Sequence, residues 1–325
     1  MEKTSKKNWA YVALIAVVVI WGLAPILSNS KWIEGKYSPA MLTAVRGLIS
    51  AIALGLMNVK KLKKIDRSYW KVAVPTGLFM SAGYICQMTS YLYTTPAKSS
   101  FLENVSVIVI PIVILVCTKV RPTWTKILAC GVCFVGSGII ALKGGADGFW
   151  SIGLGDLLAM LSGVFYGVNI AGTGLYSKKL DAALYVFIQL SILAVVAFAY
   201  SFIVEGAIQG TMAISFEWQS VLCILTLALV STALCWSLRT HCFKYIPVVV
   251  VSVVMPFSSV ITGISSVLIG MDTLTWNLLV GGLVVLAAIL LAEVGDALEK
   301  QKKEKALSKT DALAEVVVTE NKKEN

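Results

Sequence analysis

The sequence predicts an all-α polytopic membrane protein of ten transmembrane helices, arranged as two inverted five-helix repeats. Three observations carry that prediction. The chain is 57% hydrophobic and only 14% charged over 325 residues, whereas a soluble domain carries roughly 25% charged residues. It therefore lacks the polar side chains to cover a water-facing surface, and its mean hydropathy of +0.80 agrees. Its apolar stretches are each about 20 residues long, enough for a helix to cross a hydrocarbon core of roughly 30 Å. Basic residues alternate between dense and sparse along successive connections, as the positive-inside rule requires.

Span 1 covers 9–29 and follows Lys3, Lys6 and Lys7. A signal peptide begins the same way, but here the apolar run continues from Trp9 to about Leu27 with no small-residue cleavage site after it. Spans 2 to 5 follow at 38–57, 71–92, 96–117 and 123–142. Spans 6 to 10 lie at 153–176, 182–203, 219–240, 246–269 and 275–294. The connections are short and polar, because unsatisfied backbone must stay out of hydrocarbon. Residues 1–8 read as a cytoplasmic N-terminus, 9–142 and 153–294 as the two repeats, and 295–325 as a charged cytoplasmic tail.

Starting from a cytoplasmic N-terminus, the inner connections receive Lys60, Lys61, Lys63, Lys64, Arg67 and Lys71, then Lys119, Arg121 and Lys126. Further along they receive Lys178 and Lys179, then Arg239 and Lys244, and last the tail lysines. The outer side receives only Lys31, Lys36, Lys98 and Lys143. An odd number of spans breaks this alternation. The net charge of +10 is thus an orientation signal, and no nucleic-acid partner is implied. A plasma membrane with both termini inside is the expected location.

The seven cysteines show no secreted disulfide framework. Cys130 and Cys133 form a C-x-x-C inside a span, with no second ligand pair, and read as packing residues. A single histidine, His241, builds neither a histidine metal site nor a multi-histidine relay. No metal and no cofactor is expected.

The two halves echo each other. Trp21-Gly22 in span 1 matches Tyr166-Gly167 in span 6, and Pro111 in span 4 matches Pro256 in span 9. From Trp21 to Pro111 is 111 − 21 = 90 residues, and from Tyr166 to Pro256 is 256 − 166 = 90. Thr123-Trp124 opens span 5 as Thr275-Trp276 opens span 10. Five spans per half is an odd number, so the second copy is inverted, a frequent plan of secondary transporters.

Ile20–Asn29, Ser38–Ala51 and Gly83–Val113, then Gly155–Gly167, Gln189 and Met255–Thr275, resemble EamA-type members of the drug/metabolite transporter superfamily. The resemblance covers about residues 9–294. Where that family often has Glu before the span-9 proline and in the turn after span 9, this chain has Met255 and Asp272. Arg239 stands where a Gln is common, and Ser90 where a Gly is. The resemblance implies export or exchange of amino acids, nucleotide-sugars, other metabolites or lipophilic cations, driven by gradients and not by ATP. A small-molecule substrate, the bilayer and a coupling proton are the expected partners, with the chain a monomer or weak homodimer.

Charges at mid-membrane cost about 2.5–3.5 kcal/mol on insertion scales, so each needs a reason. Arg46 and Glu103 each lie roughly 12 Å into spans that start from the outer face. Two readings stand: a structural ion pair joining spans 2 and 4, or Arg46 holding an anionic substrate group while Glu103 binds a proton. Lys98 and Arg239 read as snorkelling to the interface. Asp156 reads as an N-terminal residue of span 6, favoured by the helix dipole. The expected cavity lining comprises Trp21, Tyr84, Gln87, Tyr91, Asn104, Tyr166, Asn169, Trp236, Ser252 and Ser259, with Gln189 on span 7. Aromatic faces hold apolar or cationic groups and amides orient them; the competing role is hydrogen bonding between helices. Pro111 and Pro256 are expected to break or bend spans 4 and 9, and Gly163-x-x-x-Gly167 to allow close packing.

Other classes fit less well. Gly153-Leu154-Gly155-Asp156 matches the Gly-x-Gly-Asp of intramembrane aspartyl proteases, but that chemistry needs two carboxylates at one site, and no second aspartate falls in a span. No catalytic residues are assigned. A channel needs a continuous polar stripe, and the polar residues here are scattered.

Overall fold

The computed structural model describes residues 2–119, 123–141 and 153–271, then 273, 275–277, 279–288, 290, 291 and 295. Among these residues the chain is all-helical, with no strand. Six helices are long and apolar enough to cross a membrane: Lys6–Ser28, Pro39–Met57, Pro96–Thr118, Leu154–Tyr176, Ala182–Ile208 and Trp218–Cys242. Shorter apolar helices cover Ile127–Ile139, Phe257–Leu268 and Leu279–Ala288.

In chain order the helices are α1 (Glu2–Ser28), α2 (Pro39–Met57), α3 (Arg67–Ser90), α4 (Pro96–Leu102), α5 (Ser106–Thr118) and α6 (Trp124–Ala141). They continue as α7 (Leu154–Tyr176), α8 (Ala182–Tyr200), α9 (Trp218–Thr226), α10 (Cys235–Cys242), α11 (Val248–Val254) and α12 (Phe257–Leu268). Starts are set by caps. The Asp66 carboxylate accepts from the amides of Ser68 and Tyr69 at the head of α3, the Thr95 hydroxyl from Lys98 N in α4, and Asp181 from Ala183 and Leu184 in α8. Each satisfies amides that a helix start leaves without partners.

Three expectations need correction. Span 3 begins at Arg67, a turn earlier than expected, because Asp66 caps it. Span 7 does not end at 203: a π-helical turn carries it on through Ser201–Ile208. Pro111 lies inside the continuous helix α5, and the break in span 4 falls a turn or more earlier, where Glu103–Val105 tighten into a 3-10 turn. Proline removes only its own amide and crowds the preceding turn, so the irregularity sits N-terminal to it. Pro256 does mark the interruption between α11 and α12. Asp272 and Arg121 lie outside the described residues.

The helices pack as pairs distant in sequence: α3 along α7, α2 along α8, α5 along α7, and α1 along both α12 and α10. Small residues bring the backbones together. A Cβ on Gly22 would stand 2.9 Å from Ser258 O, and one on Gly167 would stand 2.7 Å from Val109 Cβ. Gly22 of α1 is thus pressed onto α12, and Gly167 of α7 onto α5. Ala10, Leu14, Tyr69, Ala73, Leu184, Phe243, Ile246 and Val250 belong to one continuous core. Val12, Leu56, Val195 and Leu283 point outward, exposed, as lipid-facing side chains do.

Candidate functional site

The breaks in spans 4 and 9 meet α1, α3, α7 and α10 around one cavity with about 790 Å³ of empty space, its open mouth included. Gly163 lets α7 approach so closely that a Cβ there would lie 2.3 Å from Glu103 O. That contact seats the 3-10 turn and aims Glu103 and Asn104 at the cavity wall.

Aromatic rings form one side. Trp21 donates from Nε1 to Ser231 O at 2.8 Å, and its ring stands 5.5 Å from that of Trp236. Trp236 donates from Nε1 to the Tyr84 hydroxyl at 2.8 Å. Tyr84 meets Tyr166 edge to face at 5.6 Å. These hydrogen bonds fix the ring planes, and each indole N–H has the partner that burial demands.

From Tyr166 a polar chain leads to the carboxylate. The Tyr166 hydroxyl donates to Gln87 Oε1 at 3.0 Å, and Gln87 Nε2 donates to Glu103 Oε2 at 2.5 Å. Opposite, the Ser259 hydroxyl donates to Ser100 O at 2.7 Å and stands 3.3 Å from Asn104 Oδ1. This ties α12 to α4 across the two breaks.

Two arginines flank the rings. Arg46 is 3% exposed; its Nη2 donates to Thr232 Oγ1 at 3.1 Å, and its guanidinium lies 5.3 Å from the Tyr84 ring centroid. Arg239 is 1% exposed, lies 4.0 Å from the Trp236 centroid and 5.5 Å from that of Trp21, and donates from Nη2 to Asn169 Oδ1 at 3.2 Å. Neither makes an ion pair among the described residues.

The structure thus brings Trp21, Arg46, Tyr84, Gln87, Tyr91, Glu103, Asn104, Tyr166, Trp236 and Ser259 to one cavity. Asn169 and Gln189 stand behind its wall: Asn169 Nδ2 donates to Thr76 O at 2.8 Å, and Gln189 Nε2 donates to Thr76 Oγ1 at 2.9 Å. They join helices and present nothing to the cavity. The Ser252 side chain lies outside the described residues.

Three further readings change, while Asp156 does sit in the first turn of its helix, as expected. Arg46 and Glu103 share the cavity but do not pair: Arg46 turns to Thr232 and Tyr84, Glu103 to Gln87. Arg239 does not snorkel. It sits on the inward face of α10, 1% exposed, and its side chain leans back toward the N-terminal turn, where Trp236 lies three residues earlier. Lys98 is also held, donating to Asp156 Oδ2 at 2.7 Å. Asp156 in turn accepts from Gly153 N at 3.0 Å, so the Gly-x-Gly-Asp segment is a helix cap with a cationic partner. The sequence reading missed the lining residues Ser28, Ser231 and Thr262. For Arg239 the signal was present, a charge within a span. No cluster of three or more His, Cys, Asp or Glu able to hold a metal occurs among the described residues.

A sequence profile of the EamA-like transporter family matches residues 8–142 and again 153–293. An uncharacterized transporter of Archaeoglobus fulgidus is 23% identical over 290 residues, covering 89% of this chain and 87% of that protein. A solved crystal structure of a protein superposes with a TM-score of 0.65 at 15% identity, covering 88% of this chain and 97% of the other. At that identity the likeness is one of fold.

Proposed function

The chain belongs to the EamA-like transporter family, within the drug/metabolite transporter superfamily, and from that premise we propose a gradient-driven secondary transporter working by alternating access. Its substrate is a small metabolite, an amino acid or a drug-like molecule. The observation that carries this reading is the cavity formed where both broken helices meet, lined by rings and charges from both halves.

Ten spans in two inverted five-span halves, 9–142 and 153–294, fit the packing. Exchanging the halves maps α1 against α12 onto α7 against α5, maps α3 against α7 onto α10 against α1, and leaves α2 against α8 in place; all these contacts occur. A structure whose halves trade conformations opens the same site to either face in turn.

With both termini cytoplasmic in a plasma membrane, Ser28, Tyr91, Ser100 and Thr262 lie in the outer halves of their spans, so the cavity opens outward. The packed core at Ala10, Leu14, Tyr69, Leu184, Phe243 and Ile246 closes the inner side. Glu103, half-buried at the cavity and held by Gln87, is the group placed to carry a coupling proton. Two halves in one chain already supply the symmetry, so a monomer suffices.

Flux into proteoliposomes tests the reading. A panel of amino acids, nucleotide-sugars, carboxylates and lipophilic cations is offered under an imposed pH gradient, with Trp21→Ala as control. Uptake above protein-free vesicles that is lost in the variant supports it; no flux of any panel member in either gradient direction refutes it.

A further inference from the structure

We infer that the cavity selects an organic anion: a molecule with a net negative charge, an oxyanion headgroup and a flat apolar body. The inference rests on the reading of this cavity as the transport site and names its substrate class.

The charge count comes first. Two guanidiniums, Arg46 and Arg239, and one carboxyl group, Glu103, reach the cavity. Glu103 accepts from Gln87 and pairs with neither arginine. Lys98 and Asp156 neutralise each other elsewhere. The site is therefore cationic by one charge with Glu103 ionised and by two with it protonated. Buried charge without a counter-charge is costly, and an anion supplies what the protein does not. A zwitterion leaves the excess in place, and a cation increases it.

The hydrogen-bond inventory points the same way. Nε of Arg46, Nε of Arg239 and the Ser28 hydroxyl are buried without a partner, and all three belong to cavity residues; beside them the Tyr91 and Ser100 hydroxyls bond to each other. Both Nε atoms can only donate and the Ser28 hydroxyl can. A donor-rich wall complements an acceptor-rich headgroup, and the planar guanidinium fork suits carboxylate or phosphate oxygens.

The shape of the body follows from the rings. Tyr84 and Trp236 lie between the two arginines, with Arg46 over Tyr84 and Arg239 over Trp236. Trp21 stands 5.5 Å from Trp236. The cationic sites of the aromatic faces are thus already taken by the protein's own arginines. What those rings offer a ligand is apolar contact beside fixed positive charge.

A matched series of probes separates the charges on one ring: phenylacetate, phenyl phosphate, phenylalanine and phenethylamine, each titrated against the purified full chain by thermal shift. The inference expects an anion to stabilise at concentrations at least roughly tenfold below those needed for the amine and the zwitterion. Which anion acts at the lower concentration distinguishes carboxylates from phosphate esters. R46Q and R239Q are each expected to weaken the anion's effect about tenfold or more, and R239K to fall between, since it keeps the charge and loses the fork. Ligand-free melting shows which variants fold; should none fold, the order of the four probes on the wild type decides alone. The inference is overturned if the amine or phenylalanine stabilises as well as the anions, if none of the four acts, or if the anion effect survives in folded R46Q and R239Q. Counterflow of the same probes in proteoliposomes separates the two claims. Flux of the amine would sink the anion and leave the transporter, whereas anion stabilisation with no flux would leave the site and sink transport.

Discussion

Gly163 lies directly against Glu103: a Cβ on the glycine would meet the glutamate's carbonyl oxygen at 2.3 Å and its Cα at 3.1 Å. The obstacle is backbone, which cannot swing aside as a side chain can. Gly163→Ala is therefore expected to cost about 1–3 kcal/mol of stability, the range for overpacking, and to shift the 3-10 turn that carries Glu103 and Asn104. Gly131→Ala is the control, since nothing stands within 4 Å of a Cβ there. It should be neutral or stabilise by up to about 1 kcal/mol, as alanine does in a helix. Melting of the two variants in the same detergent checks both, and equal melting temperatures would remove the contact from the argument.

Much of this arrangement was legible in the sequence, because it rests on residue types with few uses. An aromatic–glycine pair at one spacing from a proline, given twice, located the helices that meet at the cavity. Mid-span Arg46, Gln87 and Glu103 were conspicuous because burial makes them expensive. Rotation about a helix was not legible: Asn169 and Gln189 have the same chemistry as Gln87, yet their faces turn to Thr76. Nor was partner choice, because Arg46 and Glu103 at equal depth looked like a pair until Thr232 and Gln87 claimed them.

Glu205 shows what a boundary error hides. Read as loop, it is in fact 3% exposed within the π-helical end of span 7. Its carboxylate accepts from Ser38 Oγ at 2.6 Å, Ala40 N at 2.7 Å and Ser201 Oγ at 2.7 Å, fastening the head of α2 to the other half. Glu205→Ala leaves three buried donors without their acceptor and is expected to cost about 3 kcal/mol, with Glu205→Gln milder. Chemical unfolding in detergent measures it, and a wild-type midpoint for the alanine variant would contradict the fastening role.

Lys98 and Asp156 bind the starts of α4 and α7 to each other, with side chains 15% and 7% exposed. At that burial the pair couples more strongly than an exposed one. Asp156→Asn is expected to destabilise more than Lys98→Met, because it both leaves an ammonium unpaired and weakens the cap at Gly153. In a double-mutant cycle the coupling should be about 1–2 kcal/mol. A value near zero would mean that the cap alone holds Asp156.

Asp181 gives a pH dependence outside the spans. Burial pushes its carboxyl upward, but the Leu184 amide, Lys61 and the Ala183 amide outweigh burial and hold it below its ordinary value. A group so depressed stabilises the fold at pH values above its ordinary titration range, and that stability fades as pH falls through its folded value. Asp181→Asn keeps a capping side chain and removes the charge. The gap in melting temperature between wild type and variant should be widest near neutral pH and close on acidification through the carboxylate range; a constant gap would assign the effect to the cap alone.

Glu103→Gln tests the coupling proton. The substitution preserves size and leaves a hydrogen-bonding partner for Gln87, so the cavity keeps its shape while position 103 no longer titrates. If Glu103 carries the proton, an imposed pH gradient accumulates solute through the wild type but not through the variant. Exchange between equal concentrations on the two sides, which needs no net proton movement, continues in both. A merely structural glutamate predicts otherwise: both modes would slow together, and the gradient would still drive whatever flux remained. Measuring the two modes side by side in proteoliposomes distinguishes them, since only loss of the proton site separates driven accumulation from exchange.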